Sequence, residues 1–163
     1  MAVFINGRDL TIEEVIRVCR NNEEVQLTEE AVAAVKKARA YIEKKLEEKA
    51  VIYGLTTGFG KFANVVIDND QTEQLQRNLI ISHTCAMGNP YPVHYVRAAM
   101  LLRCNALARG NSGIRLETLQ TLLDMLNKGV HPIIPEKGSL GASGDLAPLS
   151  HIALGLIGEG KVE

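Results

Sequence analysis

Apolar residues recur along this chain at the spacing of helices and almost nowhere at that of strands. Val3–Ile5, followed by Asn6-Gly7, reads as a short extended piece closed by a turn. Thr11-Ile12-Glu13-Glu14 has capping-box spacing, so the Thr11 hydroxyl accepts from a free helix amide while Glu14 reaches back. Ile12, Val15, Ile16 and Cys19 then share one face, which predicts a helix over 11–21. Thr28 caps a second helix over 28–49, with Val32, Val35, Ile42 and Leu46 on one side and a solvated Lys/Glu face opposite. Asp70-Gln71-Thr72-Glu73 repeats the capping-box spacing and predicts a helix over 70–87, before Gly88-Asn89-Pro90. Residues 93–109 are apolar on nearly every side apart from Arg97, Arg103 and Arg109. Further helices are predicted over 115–128, stopped by Gly129, and over 145–157. Between them, residues 51–67 lose the pattern and read as a mobile loop, and Pro132 and Pro135 mark an extended connector. The sum is a mainly α chain with long buried helices, short extended segments and long loops.

Composition narrows the class. The 163 residues and 17.8 kDa suit one ordinary domain. A formal charge of −1 gives no general attraction to nucleic acid or anionic lipid. No apolar run reaches the length of a membrane span, and the first residues lack a signal peptide's basic and apolar regions. Cys19, Cys85 and Cys104 cannot all pair within one chain, which points to reduced thiols and a cytoplasmic location. Charge is unevenly spread, for residues 1–50 carry 19 of the 37 charged side chains. Much of the remainder is therefore expected to be covered by other protein.

Six of the 14 glycines lie in two runs, 54–60 and 138–144, where unusual backbone geometry must concentrate. Gly54 to Lys61 resembles a phosphate-binding loop, but it has one spacer too many and Phe62 where Ser or Thr would bind magnesium. Gly58-Phe59-Gly60-Lys61-Phe62-Ala63 matches a dinucleotide fingerprint, yet no βαβ pattern surrounds it. Tyr53 heads this run either as a hydrophobic anchor or as a phenol that delivers a base from a closing loop. His83 and Cys85 sit two apart, on different helix faces, and no second pair stands at zinc spacing, so no metal site is expected.

The second run asks for more explanation. A Gly/Ser loop feeding a helix capped by Asp145, with Pro148 in its first turn, accounts for those two residues. It does not account for Ala142-Ser143-Gly144 set between further glycines. From Gly138 to Gly158 the only formal charge is Asp145, so the segment is expected to be deeply buried. Backbone cyclisation would use such a loop. The Gly144 amide nitrogen attacks the Ala142 carbonyl carbon, and Ser143 loses its hydroxyl to leave a methylidene group. The product is a five-membered electrophile at a helix N-terminus, where developing negative charge is stabilised.

Gly138-Ser139-Leu140-Gly141-Ala142-Ser143-Gly144-Asp145-Leu146-Ala147-Pro148-Leu149 resembles the signature of the aromatic amino acid ammonia-lyase and aminomutase family, whose prosthetic group is 4-methylidene-imidazol-5-one, MIO. Three further blocks agree in order: Tyr53 to Gly60, Leu75 to Leu79 with Ser82-His83, and Arg109 to Arg115. The resemblance implies that Ala142, Ser143 and Gly144 form MIO with no external cofactor, and that Tyr53 removes a proton from the substrate's β-carbon. It gives Gly60 and Asp145 supporting roles and makes Ser82-His83 the ring-selecting pair. Ser-His at that place goes with members that eliminate ammonia from L-histidine to give urocanate, and also with some tyrosine aminomutases. An imidazole that both donates and accepts suits either ring. Members are about three times as long and build their sites from several subunits of a homotetramer. Residues 1–163 are thus expected to be the N-terminal portion of one larger helical-bundle domain, doubtful as a catalyst alone. The rival reading within enzymes is a tyrosine ammonia-lyase or tyrosine 2,3-aminomutase of the same family, and the rival outside enzymes is a non-catalytic helical binding or assembly module.

Overall fold

The computed structural model describes residues 2–62 and 71–163. Strand β1 (Val3–Ile5) leads into helix α1 (Ile12–Asn21), strand β2 (Val25–Leu27) and helix α2 (Glu29–Glu47). After the loop come α3 (Thr72–His83), β3 (Met87–Pro90), α4 (Val93–Ala108), α5 (Leu116–Asn127), β4 (Pro135–Lys137) and α6 (Leu146–Leu156). The chain is mainly helical, as its spacing predicts.

Local chemistry explains most boundaries. At α1 the capping box forms in full, with Thr11 accepting from the Glu14 amide and the Glu14 carboxylate accepting from the Thr11 amide at 2.9 Å. Thr28 caps α2 in the same way, through the Ala31 amide. Residue 70, half of the expected box before α3, lies outside the described residues, and Gln71 takes the cap position without a side-chain bond. Helix α3 ends at His83, short of the expected residue 87. The Thr84 amide and hydroxyl close its last turn on Ile80, and the chain leaves as β3 to pair antiparallel with β4. Backbone donors that the helix would have used go to the ladder instead. The spacing also misses β2, which pairs in parallel with β1, Val3 opposite Val25 and Ile5 opposite Leu27.

Helix α4 is the central element and packs against α1, α2, α5 and β1. Val96, Met100, Leu101 and Cys104 of α4 meet Leu119, Leu122, Leu123 and Leu126 of α5, all buried. Each fully buried leucine contributes about 1.5–3 kcal/mol relative to exposure. Arg97 lies in the middle of this core, only 3% exposed. Its guanidinium donates to the Val18 carbonyl at 2.8 Å, to the Leu126 carbonyl at 2.9 Å and to His131 Nε2 at 2.9 Å. Both carbonyls are in the last turns of their helices, where the backbone dipoles leave negative charge. A buried cation is satisfied there without any carboxylate partner among the described residues.

Deep burial across residues 138–158 is not what the structure shows. Leu140 is 87% exposed, and Ala142, Ser143 and Leu146 are exposed as well. Helix α6 buries Ala147 and Ile152, leaves Leu146 exposed and holds its other residues half-buried. Helix α4 likewise leaves Tyr95 and Leu102 exposed.

Candidate active site

Three segments carry the residues singled out above, and α3 stands between the other two. The first is the loop after α2. Its glycines prevent a helix, but Thr56 and Thr57 are buried and tie it together. Thr56 Oγ1 donates to the Ala50 carbonyl at 3.0 Å and accepts from the Ile52 amide at 2.8 Å, and Thr57 Oγ1 accepts from the Gly54 amide at 3.2 Å. Tyr53 rides on these turns, 65% exposed, its ring edge-on to Phe59 with centroids 5.9 Å apart. The phenol is therefore presented outward rather than spent on core packing. Gly60 opens a short 3-10 turn, Gly60–Phe62, and a Cβ added there meets nothing within 4 Å.

The second segment is the C-terminal turn of α3. Ser82 Oγ donates to the Leu79 carbonyl at 2.8 Å, and His83 Nδ1 lies 2.9 Å from the same oxygen. A carbonyl only accepts, so the proton sits on Nδ1 and the Nε2 lone pair is left as an acceptor. Ser82 Oγ, 3.1 Å from Nδ1, fixes the ring further. The helix end thus sets the tautomer of its own histidine.

The third is the turn before α6. Gly141 and Gly144 take φ of +85° and +71°, a region that side chains disfavour. A Cβ on Gly144 would stand 2.7 Å from Ser139 Oγ, a contact the serine can relieve by rotating, so the positive φ is what asks for glycine there. Residues 141–143 form a tight turn, and among the described residues no hydrogen bond engages the Ala142 carbonyl. The tripeptide holds an amide nitrogen two residues on from an unengaged carbonyl, with an exposed serine hydroxyl able to leave between them, which fits the chemistry of MIO. Asp145 occupies the cap position of α6, but its carboxylate makes no cap bond. Its backbone, at φ −105° and ψ −12°, is already helical, whereas a capping side chain folds back from an extended one.

Helix α3 packs on α6. Arg77 bonds Glu159 at 2.8 Å just beyond the end of α6. Gly138 lies so close to Ala86 and Ala147 that an added Cβ would approach their side chains to 2.6 and 3.2 Å. The His83 end of α3 and the head of α6 are therefore neighbours. No hydrogen bond among the described residues joins Tyr53, His83 and Ser143 directly. An open groove of about 320 Å³ lies between α4, α5 and α6, with Arg103 and Asp145 among apolar walls, and Tyr53, Ser82 and His83 are not part of its lining. No cluster of three metal-ligating side chains occurs among the described residues. No helix among them is long and apolar enough to cross a membrane.

Sequence reasoning missed Arg97, His131, His151 and the binding partner of Gln76. His131 is buried and held by burial, then by the adjacent Arg97 charge, below the ordinary histidine range. His151 of α6 is lowered by burial too, and its Nε2 is enclosed without a partner. An arginine early in the apolar stretch 93–109 was the available signal for the first pair.

A helical fold with a glycine-bounded Ala-Ser-Gly turn at the head of a helix, beside a helix ending in Ser-His, defines the class. The chain belongs to the aromatic amino acid lyase family, whose profile matches residues 10–163. It is similar to the histidine ammonia-lyase of Alkaliphilus oremlandii, at 60% identity over 159 residues, which cover 98% of this chain and 31% of that one. Among solved structures, the histidine ammonia-lyase of Trypanosoma cruzi matches with a TM-score of 0.89 and 40% identity over 99% of this chain and 30% of its own. The tyrosine aminomutase of Streptomyces globisporus matches with a TM-score of 0.92 and 39% identity over 99% and 30%. The chain spans a little under a third of the length of these relatives.

Proposed function

We propose that these residues serve an ammonia-lyase that converts L-histidine to trans-urocanate and ammonia, with Ala142, Ser143 and Gly144 providing MIO. The observation that carries the reading is the exposed, glycine-bounded turn at 141–144 with the Ala142 carbonyl unengaged, in a chain of this family. When formed, that group supplies an electrophile that no ordinary side chain offers. Tyr53 takes the proton from the substrate β-carbon as base, the double bond forms between the α- and β-carbons, and ammonia leaves from the α-carbon. His83 Nε2 accepts from the substrate imidazole N–H, and Ser82 holds the histidine ring in that orientation. Asp145 and Gly60 support the site at the head of α6 and in the loop after Tyr53. The proposed enzyme is a cytoplasmic homotetramer, in keeping with three unpaired thiols and with the apolar surface left on α4 and α6.

The likeness to a tyrosine aminomutase keeps one alternative substrate, for His83 Nε2 also accepts from a phenol. Two measurements on the full-length polypeptide test both readings. Intact mass is expected to fall by two water molecules, with the loss mapping to residues 142–144. Turnover of histidine should exceed that of tyrosine. A preference for tyrosine reassigns the substrate. An unaltered mass with no turnover would leave the helical binding or assembly module.

A further inference from the structure

Helix α3 holds the loop and α6 at once, through two adjacent side chains. Successive helical residues project about 100° apart, so neighbours reach different partners. Arg77 reaches Glu159 beyond α6, at 2.8 Å. Gln76 reaches the other way, its Nε2 donating to the Gly54 carbonyl at 3.2 Å in a partly buried contact. Gly54 directly follows Tyr53, and its own amide is already held by Thr57 Oγ1 at 3.2 Å. Both polar groups of that peptide segment are therefore fixed, one from inside the loop and one from α3. Among the described residues, the second bond is the one that relates the loop to the helix that carries His83.

We propose that Gln76 is a positioning residue for the reaction: its amide pins the Gly54 carbonyl and so holds the Tyr53 phenol in register with the His83 ring on the same helix. This rests on the reading of Tyr53 as the base. Without the bond, the loop keeps its internal Thr56 and Thr57 contacts but loses its reference to α3. A phenol misplaced by about 1 Å costs on the order of a hundredfold in rate. Ring recognition by His83 does not pass through Gln76. The loss should therefore appear in kcat and leave KM nearly unchanged.

The test is a cycle in the full-length enzyme with Gln76→Leu, Gln76→Glu and Tyr53→Phe, following urocanate formation and thermal melting. Gln76→Glu keeps the size of the side chain and presents an ionised acceptor where a donor is needed, so it answers if Gln76→Leu does not fold. Each Gln76 variant should lower kcat at least about tenfold in the wild-type background and hardly at all in the Tyr53→Phe background, because both changes disable one step. Equal losses in the two backgrounds, or a kcat unchanged by Gln76→Glu, overturn the proposal and leave the base assignment standing. Undiminished turnover by Tyr53→Phe overturns the base assignment and the proposal with it.

Discussion

His83 shows how much a single side chain's chemistry depends on the helix turn that carries it. Its Nδ1 proton is committed to the Leu79 carbonyl, which leaves Nε2 as an acceptor for the ring recognition proposed above. On the proposed reading, His83→Leu in the full-length protein is expected to lower kcat/KM for histidine by about tenfold or more, since a substrate N–H loses a hydrogen-bond acceptor. Its melting temperature should stay close to that of the wild type, because the ring bonds only within its own helix end. Unchanged kinetics, or a collapsed fold, would make His83 a purely structural residue. Arg97 makes the opposite case. Its bonds to Val18, Leu126 and His131 join α1, α5 and the chain after α5. Arg97→Met should cost about 2–4 kcal/mol, because each buried acceptor left without a donor costs about 1–3 kcal/mol. Urea unfolding measures this, and a midpoint within error of wild type would sink the account.

Elements decide the state of the 138–145 turn. Closing the ring presses the Gly144 nitrogen onto the Ala142 carbonyl carbon, and strain of that kind persists only where neighbours over-determine it. Of α6 only Ala147 and Ile152 are fully buried, and the turn before it is exposed. The 163-residue chain by itself is therefore expected to keep Ala142-Ser143-Gly144 open. Its intact mass should equal that of the sequence, and a chain lighter by two waters would show that α3, α6 and the local glycines suffice.

At the scale of the whole molecule, two consequences follow from what is covered and what is not. Leu102, Tyr95, Leu140 and Leu146 are exposed on helices and loops otherwise built for burial. The isolated chain should self-associate or bind an apolar dye, and sedimentation as a clean monomer without dye binding would contradict this. The buried histidines make stability depend on pH. His131 and His151 both lie below their ordinary value of 6.5, so between the folded and unfolded values the unfolded chain binds more protons. Stability from this source is full above about pH 6.5 and falls as pH drops below it. Glu14 and Glu30 are held below the ordinary 4.5 and stay ionised throughout that interval. Melting temperature is therefore expected to drop between pH 7.5 and 5.5, and His131→Gln, which keeps an acceptor but does not titrate there, should flatten the drop.

Much of this was written in local sequence. Thr11 with Glu14, and Thr28, place two helix starts because a cap needs only residues three apart. The Ala-Ser-Gly turn was legible for the same reason, as an oddity of backbone chemistry confined to a few adjacent residues. What contacts decide over long separations stayed hidden. Val25–Leu27 becomes a strand only because Val3–Ile5 lies beside it, and α3 stops at His83 because the chain beyond pairs with β4. Arg97 looked like an interruption of an apolar run until the ends of α1 and α5 converged on it. Gln76 is one polar residue among several on α3, and its role depends on a carbonyl 22 positions earlier that only folding brings within reach. Local sequence specifies caps, turns and reactive groups because their energies are settled within one turn of chain. Which of those groups meet depends on how the helices pack, and no residue's own spacing encodes that.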